Sequence, residues 1–459
     1  MSGSAIRSSY SPIPGGLVGA AQQLEKGEIT SRALVETCLE AITRSDNARA
    51  AYTGDFSADR ARQFADAADR IRAKGYHASP WAGLPISVKD LFDLKGQVTA
   101  AGSTILADRP PAVTDAEAIA PLRAAGFIVM GRTQMTEFAY SGLGLNPHGP
   151  QPWNTLVEDG RAIPGGSSSG GAVSVATGAC LAAIGSDTGG SCRIPAAMNA
   201  LTGFKPTAAR ISRKGMIPLS PSFDSVGSIA QSVQDCALLD HVMSNAGTPW
   251  AAPQAHEGPL RLLLPTSFVR NDADSQVLAV FETVLRHLEG GGVEIVRQPL
   301  PLLQDIQDLN IQAQIVAAEA YHYFHDDLLH HPDEFDPRVS ERIALGEKAS
   351  VQILRQLHIE RQRLCARFNA EMTSFDALVC PTSPILPPLI SECAEAEAYG
   401  RYNRLVLRNP SLANLLDGCS ISLPLNWKGF PSGLMLTSCH GQDEALLRAA
   451  RKCEDRLRN

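Results

Sequence analysis

Residues 163–207 read IPGGSSSGGAVSVATGACLAAIGSDTGGSCRIPAAMNALTGFKPT. Two glycine-serine clusters, Gly165–Gly171 and Gly185–Ser191, bracket a helix-like segment near 171–177 and a short apolar run, Leu181–Gly185, of strand length. Glycine-serine runs on their own are flexible spacers. Here they sit at the turns of a strand-helix alternation, with apolar elements on both sides. Glycine at such turns permits positive φ and lets backbone N–H groups approach a ligand. The spacer reading fails on that ground.

Outward from this segment the alternation continues in both directions. Upstream, Leu84–Val88 and Phe127–Val129 read as buried strands. Thr114 and Glu117 form a T-x-x-E capping box for a helix through Ala125, ended by Gly126. Helical periodicity covers 17–45 and 55–74, with Gly75 as the stop. Downstream, a helix opens near Ser232 with Asp235 three residues on. Strands are predicted at Arg261–Leu264, Val293–Val296, Leu378–Cys380, Ser420–Leu423 and Leu434–Thr437, with a last helix from Asp443 to Arg456. Strands separated by helices predict an α/β protein with a mixed, mostly buried sheet. Residues 302–375 read as a helical lobe packed on that sheet. No linker divides the chain, so 1–15 is expected to be an exposed tail and 16–459 a single domain.

Composition excludes several classes. The chain has 459 residues, 44% of them hydrophobic and 19% charged, with a formal net charge of −7. That rules out a disordered chain and argues against nucleic-acid binding, which shows as a basic stripe. No apolar run approaches the roughly 20 residues of a membrane span, and the N-terminus lacks a signal-peptide pattern. The ten cysteines are scattered without a C-x-x-C pair and read as reduced, buried thiols, which points to the cytoplasm.

The central segment matches familiar chemical motifs only in part. Gly166-Ser-Ser-Ser-Gly170 matches G-x-S-x-G literally, but 153–164 is a poor strand and the nucleophile elbow needs one. No lysine follows in the position a P-loop needs, and no S-x-x-K occurs. His322, His325, His330 and His331 cluster without H-E-x-x-H spacing and read as a solvated helical face, so no metal is expected. Lys89 stands out. It is one of nine lysines among 41 basic residues and ends the apolar run LPISVKD. Two readings are open: a structural lysine, snorkelling or paired with Asp90, and a desolvated base.

The segment 165–207, together with GLPISVKDLFD, TQMTEFAYSG, DALVCPTSP and LDGCSISLPL, resembles the amidase signature family over roughly residues 15–455. The resemblance implies one α/β domain with a central mixed, twisted sheet of about eleven strands covered by helices. Carried over by motif, Ser191 in GGSCR is the acylated nucleophile, and Ser167, which follows a cis peptide bond in the family, is the bridging serine. Lys89 in SVKD is the base. The amides of Thr188, Gly189, Gly190 and Ser191 form the oxyanion hole. Arg193 and Asp187 brace the nucleophile loop, and Ser168 donates to the relay. Met135 and Tyr140 fall in a region that lines the acyl pocket, with core packing equally open for Met135. Specificity is assigned to 132–150, to 302–400 and to a loop near Asn409–Gly418. The resemblance implies no metal or cofactor, a small-molecule amide substrate and a homodimer.

The chemistry gives these residue types a reason. A serine hydroxyl must lose its proton as it attacks. Lysine accepts that proton only when neutral, and an unperturbed pKa of ~10.4 makes neutrality at pH 7 cost roughly 4.6 kcal/mol. Burial at an apolar strand end lowers that cost. The expected function is therefore an amide hydrolase working through a Ser191 acyl-enzyme and a Ser167–Lys89 proton relay. Its rivals are the glutaminase subunit of a tRNA-dependent amidotransferase, an ester hydrolase on the same machinery, and a catalytically silent binding protein.

Overall fold

The computed structural model describes residues 15–54, 56–158, 160–425 and 430–458. The expected tail, 1–15, lies outside these residues apart from Gly15. Ten strands form one sheet: β1 Pro85–Lys89, β2 Ile128–Thr133, β3 Ala182–Asp187, β4 Thr202–Lys205, β5 Ser225–Ala230, β6 Leu260–Pro265, β7 Val293–Gln298, β8 Ala377–Pro381, β9 Cys419–Pro424 and β10 Gly433–Ser438. Their spatial order is β2-β1-β3-β5-β4-β9-β10-β8-β6-β7. Two parallel groups, β2-β1-β3 and β8-β6-β7, flank antiparallel central strands. The expected count of about eleven becomes ten among the described residues. Beyond edge strand β2 the chain makes only an isolated bridge, Tyr52 to Thr133, which does not extend into a ladder.

Helices cover both faces, because successive residues of each central strand point to opposite sides. In β3, Ala182 and Ile184 join one core cluster while Ala183 joins another. The second cluster packs helices Ser31–Arg44 and Ser169–Ala176 on the sheet. The first brings Gly16–Glu25, Val233–Met243 and Asp443–Arg458 to the opposite side. Ser232 caps its helix as expected, accepting from the Asp235 amide at 3.1 Å. The expected capping box at Thr114 and Glu117 does not form. The helix there is short, Ala120–Ala124, and the Glu117 carboxylate instead accepts from Ser212 and pairs with Lys214.

Residues 302–375 are mainly helical: Leu302–Ala313, Ile315–His330, Pro337–Ala344 and Val351–Glu371. His322, His330 and His331 are exposed there, and His325 is half-buried. The expected loop at Asn409–Gly418 is instead the C-terminal part of a long helix, Ala396–Leu415, with Pro410 inside it. No described helix is long and apolar enough to cross a membrane.

Candidate active site

The site lies at the carboxyl ends of the parallel strands β1, β2 and β3, where open α/β sheets place their ligands. Val88 pairs with Ile184 of β3, and Lys89 pairs with Thr133 of β2. That register carries the Lys89 ammonium among neighbours of the nucleophile loop. Lys89 is fully buried, and its Nζ donates to Ser167 Oγ at 2.7 Å and to Ser186 Oγ at 2.8 Å. Burial pulls its pKa down to about 8, with the charges of Cys192, Asp187 and Asp224 opposing in part. Its neighbour Asp90 pairs with Arg132 at 3.3 Å, so the ion pair that a structural Lys89 would have made is taken elsewhere.

Ser167 follows a cis Gly166–Ser167 peptide and is fully buried. It precedes the helix Ser169–Ala176, which returns the chain to β3. Ser168 is held by backbone rather than by the two other serines. Its amide donates to Ser191 O at 3.2 Å and its hydroxyl to Ser186 O at 3.4 Å. Gly185 makes room for this, since a Cβ there would come within 2.6 Å of Ser168 Oγ.

The loop 187–193 is fixed from inside by one buried ion pair. Arg193 Nε and Nη2 donate to the two oxygens of Asp187 at 3.0 and 2.8 Å, with both side chains wholly buried. Asp187 also accepts from the Gly190 and Cys192 amides, and its pKa is held well below the usual carboxylate range by Arg193 against the cost of burial. Arg193 reaches on to Pro410 O at 2.8 Å and Asn414 Oδ1 at 2.8 Å, which ties the loop to the helix Ala396–Leu415. Removing one partner of such a pair strands a buried charge. Arg193→Met is expected to lower the free energy of unfolding by about 3–5 kcal/mol in urea titration.

The expected set of four oxyanion amides is corrected at one position. The Gly190 N–H donates to Asp187 Oδ1 at 2.8 Å and is not free. The amides of Thr188, Gly189 and Ser191 have no protein acceptor among the described residues. Gly190 instead serves shape: its φ is +125°, and a Cβ would stand 2.5 Å from Pro410 Cβ. Thr188 is anchored through its hydroxyl, which donates to buried Asp224 at 2.5 Å. Burial raises the Asp224 pKa to about 6.

A cavity of about 530 Å³ opens on this loop, lined by Thr188, Gly189 and Ser191 on one side. The Ser191 hydroxyl has no protein partner among the described residues. Tyr140 lines the cavity as expected, with the Arg342 guanidinium 4.0 Å over its ring. Met135 does not line it. Its side chain is wholly buried in the main core, and its carbonyl accepts from Asn146 Nδ2 at 2.7 Å. The remaining walls come from Ala139, Ser141, Leu219 and Phe223, from the helical lobe and from the helix Ala396–Leu415. Three participants were not singled out in the sequence: Ser186, Asp224 and Asn414. Ser186 stands inside the signature itself. Asp224 and Asn414 reach the loop only through the tertiary fold.

Comparison with known proteins shows the family. The family model described as Amidase matches residues 33–447. The chain is 33% identical over 423 residues to 2-amino-5-chloromuconic acid deaminase of Comamonas testosteroni, covering 91% of this chain and 90% of that protein. It is 32% identical over 450 residues to 1-carboxybiuret hydrolase subunit AtzE of Pseudomonas sp. (strain ADP), covering 94% and 96%. A crystal structure of an amidase superposes with a TM-score of 0.85 at 31% identity, covering 96% of this chain and all of the other. A family match across most of the chain, with its signature folded around a buried lysine and a serine facing a cavity, places this protein in the amidase family.

Proposed function

We propose that the protein hydrolyses a small-molecule amide through an acyl-enzyme on Ser191. One observation carries the reading: a dehydrated Lys89 amine stands 2.7 Å from Ser167 Oγ beside a loop whose Ser191 faces a cavity. Ser167 gives its proton to neutral Lys89 and takes the proton of Ser191 as Ser191 Oγ bonds to the amide carbon. The carbonyl oxygen becomes an oxyanion and is met by the amides of Thr188, Gly189 and Ser191. Ser186 holds the Lys89 amine in line by its second hydrogen bond. As the C–N bond breaks, the relay returns the proton to the departing amine or ammonia. Water then attacks the ester, its proton follows the same route, and the acid leaves.

Both relatives named above carry an enzymatic name for a deaminase or hydrolase, which supports C–N bond hydrolysis. The test is an ammonia-release assay across a panel of aliphatic, aryl and ureido amides that includes glutamine. At least one small amide other than glutamine is expected to release ammonia. Activity confined to glutamine, with a second chain co-purifying, would favour the amidotransferase reading. The ten cysteines are all free thiols, and burial raises the thiol pKa of every one, which fits a reducing cytoplasm.

A further inference from the structure

The cavity facing Ser191 has an unusual charge pattern. Arg342, Arg404 and Arg408 line it, and no Asp, Glu, Lys or His does, in a chain whose net charge is −7. Arg342 is already engaged, stacked on Tyr140 and donating to the Tyr140 carbonyl oxygen. Arg408 is engaged only in part, its Cζ lying 5.8 Å over the Phe268 ring. Arg404 makes no hydrogen bond or ion pair among the described residues. Arg408 is four residues further along the same helix, so the two guanidinium groups share one face one turn apart. Its side chain is only 12% exposed. Its Nε donates to Asn409 Oδ1 at 3.3 Å, and its Nη1 lies 3.8 Å from Asp272, a side chain that is 84% exposed. Its Nη2 is buried with no partner at all, as is Gln307 Oε1 on the same cavity.

Two costs are built into this wall: like charges one helical turn apart, and a buried charged donor left unpaired. An anion placed against Arg408 and Arg404 removes both. A guanidinium fork matches a carboxylate in a planar, two-point contact. Gln307 can turn its amide to donate to the same group or to accept from the substrate. A neighbouring cavity, lined by Asp272 and Asp274, shares Gln307, Arg404 and Arg408, so these residues stand where the two spaces meet. The acidic groups nearest the arginines therefore belong to that second space.

We propose that the substrate is an amide bearing a free carboxylate, held by Arg408 with Arg404 while its carbonyl carbon meets Ser191. This rests on the hydrolase reading above and adds the substrate class and its specificity-determining residues. Selection works by charge: a neutral amide leaves the buried Nη2 of Arg408 without a partner, whereas the acid supplies one.

The test uses the half-amides of linear dicarboxylic acids, malonamate through adipamate, each against the neutral aliphatic amide of equal length. The readout is the ratio of kcat/KM for acid over neutral amide. In the wild-type protein at least one length is expected to show a ratio above about ten. Arg408→Gln is expected to lower that ratio about tenfold or more, and Arg404→Gln to lower it less. A variant that merely packs badly lowers both rates together and leaves the ratio alone. Calorimetric titration with the matching dicarboxylate needs no turnover: the wild-type protein should bind it, and Arg408→Gln should bind it at least tenfold more weakly. A wild-type ratio of one or less at every length, a ratio unmoved by Arg408→Gln, or no dicarboxylate binding would each overturn the proposal. Turnover of neutral amides alone would overturn it while leaving the hydrolase reading standing. Dicarboxylate binding without hydrolysis of any amide would support the carboxylate site and count against hydrolysis.

Discussion

Ser191→Ala is expected to abolish amide hydrolysis, with kcat falling on the order of 10⁴–10⁶-fold. The other serine and threonine hydroxyls of the cavity wall already donate elsewhere, Ser141 to Asn403, Thr188 to Asp224 and Ser411 to the Arg408 carbonyl. Ser167 is fully buried and hydrogen-bonded to Lys89, and Ser168 is pinned to backbone groups. The residual rate would come from amides aligned on the carbonyl and from substrate binding. The fold should not notice the change, because the Ser191 hydroxyl has no protein partner among the described residues. The variant should therefore unfold in urea at the wild-type midpoint while ammonia release disappears. Activity within tenfold of wild type would remove Ser191 from the role assigned to it.

Lys89→Met is expected to separate activity from stability. The relay loses its acceptor, so kcat/KM should fall about 10²–10⁴-fold. Burial holds the folded pKa of Lys89 at about 8, below the ordinary lysine value. The unfolded chain thus binds that proton more tightly, and between about pH 8 and ~10.4 the unfolded state carries the extra proton. Stability from this group rises with pH across that window, and below about pH 8 its full cost is present. Lys89→Met removes the cost, so at pH 7 the variant should be at least as stable as the wild type and should lose that rise. Activity follows the same group with the same sign. The wild-type kcat/KM should climb about tenfold per pH unit below about pH 8 and level off above it, because only neutral Lys89 accepts a proton. A flat profile from pH 6 to 9 would contradict the assignment of Lys89 as base.

Eight of the ten strands are legible in the sequence because each holds a short apolar run bounded by turn residues. β4 and β5 were not read as strands, though both lie in the middle of the sheet. Thr202–Lys205 and Ser225–Ala230 are built from small and polar residues, with Gly203 and Gly227 where neighbours approach closely. A Cβ on Gly203 would come within 2.7 Å of Cys192 O, and one on Gly227 within 2.5 Å of Phe204 O. Close packing, not hydrophobicity, defines those strands, and periodicity cannot register it.

The site divides the same way. The roles given to Lys89, Ser167 and Ser191 come from the resemblance of their motifs, since the residues alone leave Lys89 open between a structural lysine and a base. Ser186 was not legible, since a serine at a strand end carries no mark until the register of β1 on β3 brings Lys89 beside it. Asn414 was hidden by distance: it is 227 residues from Asp187, yet its amide donates to the Asp187 carbonyl at 2.9 Å. The stretch expected as a loop near Asn409–Gly418 is helix as far as Leu415, with Pro410 inside it. The Pro410 carbonyl is one of the acceptors of Arg193, so the proline sits in a helix that the nucleophile loop helps to hold. Gly190 was assigned to the oxyanion hole by motif alone, and only the loop geometry shows its amide facing Asp187.

The most direct test of the account is where a fluorophosphonate probe attaches to the wild-type protein. The probe phosphonylates an activated serine with loss of fluoride, and mass spectrometry of the digested adduct locates it. A single adduct on Ser191 is expected, formed faster as pH rises toward about 8 and absent from Ser191→Ala and Lys89→Met. An adduct on Ser167 or any other residue, or a folded protein that takes no label, would contradict it.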